Sequence, residues 1–201
     1  MFARAGHDVL VSYSRDADKL RALADEVGGR AGTAREAVEF GEVVLFAVPW
    51  TGIDEALGQV GPLDGTIVID TTNQFGPGGV QDLGDRTAAQ VNAARMPGAR
   101  YTKSFNTLTA AFQASASRRT GADRVVLFLC GDDADAKATV SGLIEDAGFV
   151  PVDVGGTADA AVMEAPRREG AVYGEEYREA DGRAVVAALR AGEAIPPTPT
   201  Y

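Results

Sequence analysis

The sequence is poor in the residues that most often carry chemistry. It has one cysteine, Cys130, which excludes an internal disulfide and any cysteine-cluster metal site. It has one histidine, His7, which disfavours zinc ligation, and because it sits outside the strand ends it supplies no Ser-His-Asp or Cys-His arrangement there. His7 falls in a short Gly-His-Asp stretch that reads as a solvated turn. Basic residues are also scarce, 19 against 29 acidic, and the net charge of −10 repels phosphate backbones and disfavours nucleic-acid binding. No apolar run approaches the ~18 residues of a membrane span. The opening residues contain no apolar stretch of signal-peptide length. The expectation is a cytoplasmic protein with neither membrane nor nucleic-acid partners. Neither a solenoid-period repeat nor a low-complexity segment is evident.

What is present is alternation. Strand-like and helix-like stretches succeed one another from end to end, the pattern of an α/β chain. At 201 residues, one domain spanning 1–201 is the default, with a helical tail from about 155 to 201 that wraps the sheet or a partner subunit. Continuous apolar runs at 42–48, 66–70 and 124–130 predict strands buried on both faces. Shorter strands are predicted at 8–12 and 99–105. Residues 149–154 read as an edge strand, because Pro151 cannot donate to a ladder. Helical patterns occupy 16–27, 33–40, 51–60 with Thr51 as N-cap, 86–95, 132–147, 157–165 and 177–191. Residues 107–114 read as a helix N-terminus and 115–121 as a polar loop. Gly76, Pro77, Gly78 and Gly79 predict a loop that supports neither helix nor strand. Paired carboxylates occur in Asp132-Asp133 and Glu175-Glu176, and both fit helix N-termini, where acids are favoured.

In an open parallel sheet, ligands bind outside the carboxyl ends of the strands. Those ends are residues 12–15, 47–50, 70–73, 105–107 and 130–132. The first is the most informative. A strand, a polar turn and a helix follow one another, as in the second βα unit of a dinucleotide-binding sheet, where the turn meets the adenosine ribose. Here the turn offers Ser14 and Arg15, with Lys19 one helical turn on and no carboxylate before Asp16. Arginine grips a phosphate bidentately and lysine adds a point charge, which points to the 2′-phosphate of NADP rather than the free hydroxyl of NAD. Ala47, Val48, Pro49 and Trp50 could lay backbone along the nicotinamide-side ribose, or Trp50 could simply pack on a helix. Asn73 could hydrogen-bond ribose or carboxamide, or serve its own turn. Asn106 and Thr107 could line the second ligand's pocket, or Thr107 could cap the next helix. No residue stands out as an acid-base catalyst. Hydride transfer between two bound cofactors requires none: it needs the donor carbon ~3–3.5 Å from the acceptor, with water excluded.

Taken together, Ala5-Gly-His-Asp-Val9 leading to Ser14-Arg15, Ala47-Val-Pro-Trp50, Asp70-Thr-Thr-Asn73, Lys103-Ser-Phe-Asn-Thr107 and Cys130-Gly-Asp-Asp-Ala-Asp-Ala-Lys137 resemble the NADPH-dependent coenzyme F420 reductase family over nearly the whole chain. The resemblance implies a Rossmann-type, doubly wound, mostly parallel α/β sheet. It also implies NADP as cofactor and hydride transfer to coenzyme F420, a deazaflavin, or to a flavin-like acceptor. By position, Ser14, Arg15 and Lys19 would hold the 2′-phosphate, the turn at 47–50 would lie by the nicotinamide, and the Asn73 and Asn106 loops would border the cleft.

The family pattern begins with a central strand and a Gly-x-Gly-x-x-Gly turn that seats the pyrophosphate. Neither occurs before residue 8, and about 20 residues of the ~30-residue βαβ unit would be expected upstream of Met1. Competing readings are a nucleotide-binding or regulatory module that catalyses nothing, and a ferric or other small-substrate NADPH reductase. The crevice and the apolar tail are compatible with a homodimer.

Overall fold

The structure is a computed structural model that describes residues 1–12 and 16–201. Its centre is a five-stranded sheet in the order β3 (Val43–Phe46), β4 (Ile67–Asp70), β7 (Arg100–Lys103), β8 (Val126–Gly131) and β9 (Val150–Gly155). β3, β4 and β7 run parallel, β8 runs antiparallel to β7, and β9 parallel to β8. The predicted α/β class and mostly parallel sheet are therefore present, and β9 is the edge strand that Pro151 implied.

Period-2 alternation explains how this sheet is buried. In β8, Val126, Phe128 and Cys130 enter one apolar cluster while Leu127 and Leu129 enter another on the opposite face. α3 (Ile53–Val60), α4 (Ala88–Arg95) and α7 (Glu179–Ala191) supply the first cluster. α5 (Ala110–Ala116) and α6 (Ala134–Asp146) supply the second. Every residue of β8 is buried, and a side chain such as Phe128 contributes ~1.5–3 kcal/mol by leaving water. The tail does wrap the sheet. At Gly182 of α7 an added Cβ would lie 2.9 Å from Val126 Cγ2, so only glycine lets this helix sit so close to β8.

A second, two-stranded parallel sheet pairs β1 (Leu10–Val11) with β2 (Arg30–Ala31). α1 (Ala17–Val27) connects them, capped by Asp16, whose carboxylate accepts from the amides of Asp18 and Lys19. α2 (Ala34–Phe40) touches both β1 and β3. Among the described residues no strand pairing joins the two sheets, and Leu45 on β3 is 44% exposed. In the 3-2-1-4-5-6 order of a doubly wound sheet, the break falls at the place of the first strand.

Several local expectations change. Residues 75–80 form a small antiparallel hairpin, β5 (Phe75–Gly76) and β6 (Gly79–Val80), where the glycines suggested only loop. Gly79 has φ +105°, a left-handed conformation that closes the hairpin and that other residues rarely adopt. Thr51 does not cap α3. Residues Trp50–Gly52 form a 3-10 turn, and Gly52 occupies the cap position. Helix α5 starts later than expected, with Thr109 rather than Thr107 as its N-cap, and runs into the predicted polar loop. Residues Thr157–Met163 are 3-10 rather than α-helical.

Candidate functional site

The antiparallel course of β8 decides which strand ends share an edge. Lys103, the last residue of β7, faces Cys130, and Arg100, the first, forms an ion pair of 2.7 Å with Asp133. The carboxyl end of β8 therefore lies at the amino-end edge of β7. Residues 130–132 are thus excluded from the crevice and the expectation that they line it is corrected. The ends of β3, β4 and β7 remain, and they carry residues 47–50, 71–74 and 104–107. Asp133 acts as an N-cap for α6, accepting from Ala136 N at 2.9 Å. The Arg100 guanidinium, then the Ala136 amide, hold its carboxyl well below the usual range. Glu175 and Glu176, by contrast, do not cap α7 but pair with Arg167, and with Arg119 and Arg178.

Beneath this edge lies a buried polar cluster. Asp70 and Lys103 are both 0% exposed and 3.5 Å apart. Asp70 Oδ2 accepts from Tyr101 Oη at 2.5 Å and from Asn92 Nδ2 at 2.8 Å, while Lys103 Nζ donates to the Thr72 carbonyl at 2.5 Å. Burial, then the neighbouring Asp70 charge, push the Tyr101 phenol well above its ordinary range, so it stays a donor. Lys103 thus pins the backbone of the 71–74 loop from below. Burial also raises the Cys130 thiol to about 12.

Above the cluster, one amide ties three loops together. Asn73 Nδ2 donates to the Asn106 carbonyl at 2.9 Å, and Asn73 Oδ1 accepts from Asn106 Nδ2 at 3.2 Å and from Ala165 N at 3.3 Å. Asn106 Nδ2 also donates to the Met163 carbonyl at 2.7 Å. Phe105, just before it, has φ +59°, a left-handed conformation unfavourable for a bulky side chain and of the kind that concentrates at functional sites. This reversal follows directly on β7 and precedes the residue that reaches Asn73. Gln74 donates from Nε2 to the Ala165 carbonyl at 2.9 Å. Two buried oxygens here, Gln74 Oε1 and Asn106 Oδ1, accept no hydrogen bond. Such orphans are costly unless a bound group satisfies them.

The sequence-derived residues fare unequally. Ser14 and Arg15 lie outside the described residues. Lys19 is 83% exposed at the side chain, with Nζ 3.8 Å from Asp16 Oδ2. In the turn, Ala47 and Pro49 are exposed and Val48 is half-buried. The Trp50 indole is buried in the core, donates from Nε1 to Gln81 Oε1 at 2.8 Å, and lies under the Arg95 guanidinium. The Trp50 ring is therefore not offered to a ligand, and residues 47–49 are what the turn presents. Asn73 and Asn106 are brought into contact with each other, and their amide hydrogens serve the Asn106 and Met163 carbonyls and the Asn73 amide oxygen. Thr107 is buried, its carbonyl accepting from Gly174 N. Sequence reasoning missed Gln74 and Glu164, and it placed Phe105 at a strand end without its left-handed backbone. Glu164 is buried and caps α4, accepting from Ala88 N and Ala89 N at 2.8 Å each. Its partners lie some 75 residues away, so no local pattern announces them.

Among the described residues no group of three or more His, Cys, Asp or Glu could hold a metal, and no helix is long and apolar enough to cross a membrane.

A mostly parallel α/β sheet with strand ends gathered on one edge is the architecture on which dinucleotide sites are built, and comparison with known proteins narrows the class. Residues 1–74 match the family of NADP oxidoreductases described as coenzyme F420-dependent. The crystal structure of the hypothetical protein SMa0349 from Sinorhizobium meliloti is 31% identical with a TM-score of 0.79, covering 89% of this chain and 87% of that one. A provisionally assigned F420-dependent NADP-reductase from Arthrobacter sp. FB24 shares the fold at 21% identity and a TM-score of 0.67, covering 96% and 88%. The metalloreductase STEAP3 of Rattus norvegicus is 33% identical over 131 residues, 65% of this chain, and the chain spans 26% of that protein's length. Over residues 1–74 the chain belongs to the family of NADP oxidoreductases described as coenzyme F420-dependent.

Proposed function

We propose that the protein transfers a hydride between NADP(H) and a deazaflavin such as coenzyme F420, or a flavin-like acceptor. The observation that carries this reading is the shared edge. The 47–49 turn, the Asn73–Asn106 clamp and two unpartnered buried oxygens lie at the carboxyl ends of three parallel strands, in a chain whose residues 1–74 match an NADP oxidoreductase family.

The residues present fit the nicotinamide end of such a cofactor. Backbone groups of Ala47, Val48 and Pro49 would hold the ribose, and the loop at Asn73 would border the carboxamide. Asn106 and Thr107, held from behind by Met163 and Gly174, would form the wall behind the second substrate. At the other end, Ser14, Arg15 and Lys19 would meet the 2′-phosphate. Bound NADPH supplies a hydride, one proton with two electrons. The acceptor gains it together with a proton from water, and NADPH becomes NADP+. Tyr101 and Cys130 stay protonated and buried, so this chain contributes positioning and water exclusion rather than an acid or base.

The test is a fluorescence titration with NADPH and NADH, followed by NADPH oxidation with a deazaflavin, FMN and a ferric chelate. Expected are tighter binding of NADPH than of NADH by tenfold or more, and turnover with the deazaflavin or FMN. Absence of both binding and turnover would leave only a non-catalytic module. Turnover with the ferric chelate alone would make the protein a ferric reductase.

A further inference from the structure

Glu164 is 3% exposed, and its carboxylate gives both oxygens to another element. Oε2 accepts from Ala88 N and Oε1 from Ala89 N, at 2.8 Å each, so the side chain sits against the positive end of the α4 dipole. The two residues that flank it reach the crevice loops instead. Met163 presents its carbonyl to Asn106 Nδ2, and Ala165 gives its amide to Asn73 Oδ1 and its carbonyl to Gln74 Nε2. Arg168 stiffens the segment from within, donating to the carbonyls of Ala161, Glu164 and Pro166. Helix α4 is itself tied to the same loops. Asn92, one turn beyond Ala88 on the same face, donates from Nδ2 to Asp70 Oδ2 at 2.8 Å and to Thr72 Oγ1 at 3.0 Å. Asn73 follows Thr72 directly. The bonds therefore close into a ring that runs from the Glu164 side chain through α4 and Asn92 to Thr72 and Asn73, then back through the Ala165 amide. An open run of such bonds lets each loop drift on its own soft torsions. A closed one fixes the separation of Asn73 from the 163–165 segment from two sides, and a satisfied buried network rigidifies beyond the sum of its pairs. Removing the carboxylate opens the ring and leaves two buried α4 amides without acceptors.

We propose that Glu164 is a positioning residue for the reaction: by closing this ring it holds the Asn73 and Asn106 loops at the separation that hydride transfer needs, without touching cofactor or acceptor. The inference rests on the function proposed above and adds to it a residue that acts from outside the crevice. A misplacement of about 1 Å at a reacting centre costs on the order of 100-fold in rate. Cofactor affinity, on the same reading, is shared with the 47–49 turn and the phosphate end, which the ring does not include. The effect of Glu164 therefore belongs in kcat rather than in NADPH binding.

The full chain, nitrogen-labelled, is compared with three variants by NMR and by NADPH oxidation with the acceptor that the parent turns over. Glu164→Gln removes the charge, whereas Glu164→Asp keeps it and shortens the strut, so a second variant is in hand where the first fails to fold; melting curves monitor this. Val140→Ala, on α6 in the other apolar cluster, lowers stability without touching the ring. The expected result is movement or broadening of the Asn73 and Asn106 side-chain amide signals in both Glu164 variants and none in Val140→Ala. With it comes a loss of kcat of tenfold or more, at NADPH affinity within threefold of the parent. In an Asn73→Ala background the Glu164→Gln change should then cost less than twofold more, because the ring is already open. Asparagine signals unmoved in a folded Glu164 variant overturn the proposal. So does a kcat loss that Val140→Ala matches, or one that repeats in full on top of Asn73→Ala. A parent that neither binds NADPH nor oxidises it sinks the function proposed above, and the ring, as a brace of the crevice, then stands or falls on the amide signals.

Discussion

Two lysine–aspartate pairs show how differently the halves of this chain are built. Lys19 and Asp16, 3.8 Å apart, sit at the start of α1 with the lysine side chain 83% exposed. Lys103 and Asp70, 3.5 Å apart, are both fully buried between β4, β7 and α4. The same chemistry has opposite consequences. An exposed pair contributes little, because water and salt screen it and long side chains must be ordered. A buried pair commits its surroundings, since removing one partner strands the other in a low dielectric. The half around β1 and β2 thus leaves its charged pair to water, while the half around β4, β7 and β8 must hold shape.

The largest expected contrast is in native-state hydrogen exchange. Amides of β4, β7 and β8, whose residues are nearly all buried, should exchange only through global unfolding, at ~5–15 kcal/mol. Those of β1 and β2, where no residue is buried, should open far more readily. Equal protection in both sheets would break the comparison. Next, Lys103→Met should cost about 3–5 kcal/mol in urea unfolding. Lys19→Met should stay within ~0.5 kcal/mol yet weaken NADPH more than NADH. A third contrast uses pH. The Cys130 thiol, raised to about 12 in the fold, keeps its proton where the unfolded chain ionises at ~8.5. The unfolded state then binds fewer protons, so stability falls as pH rises from about 8.5 towards 12, and a Cys130→Ala variant should show a shallower decline. Below that window the native thiol should resist Ellman's reagent. The smallest effect concerns helix caps. Thr33 and Thr87 both form capping boxes, but Thr87 is buried and also donates to the Thr157 carbonyl. Thr87→Ala should cost ~1–2 kcal/mol and Thr33→Ala nearer 0.5, by thermal melting.

Much of this was legible from the residues alone. Continuous apolar runs announced β3, β4 and β8, because a strand covered on both faces needs no polar alternation. The helical patterns read from 16 and 33 begin at Asp16 and Thr33, which in the structure cap those helices with side chains that reach their own helix amides. What stayed hidden was direction and distance. Val126 to Cys130 read equally well up or down, so nothing local revealed that β8 reverses and carries residues 130–132 away from the site. Thr107 and Thr109 are equivalent as sequence. The left-handed turn at Phe105 decides between them by directing the chain into its loops first. Gln74 and Glu164 gain their roles from partners some 75 to 91 residues distant.

The Asn73 amide has a further consequence for motion. It fastens segments 33 and 92 residues away to the end of β4, so the floor of the crevice behaves as one rigid plate rather than three independent loops. A plate held at a single rivet shifts as a whole or not at all. The hairpin at 75–80, closed by Gly79 and with Phe75 and Val80 exposed at its surface, takes no part in the bonds of the Asn73 side chain.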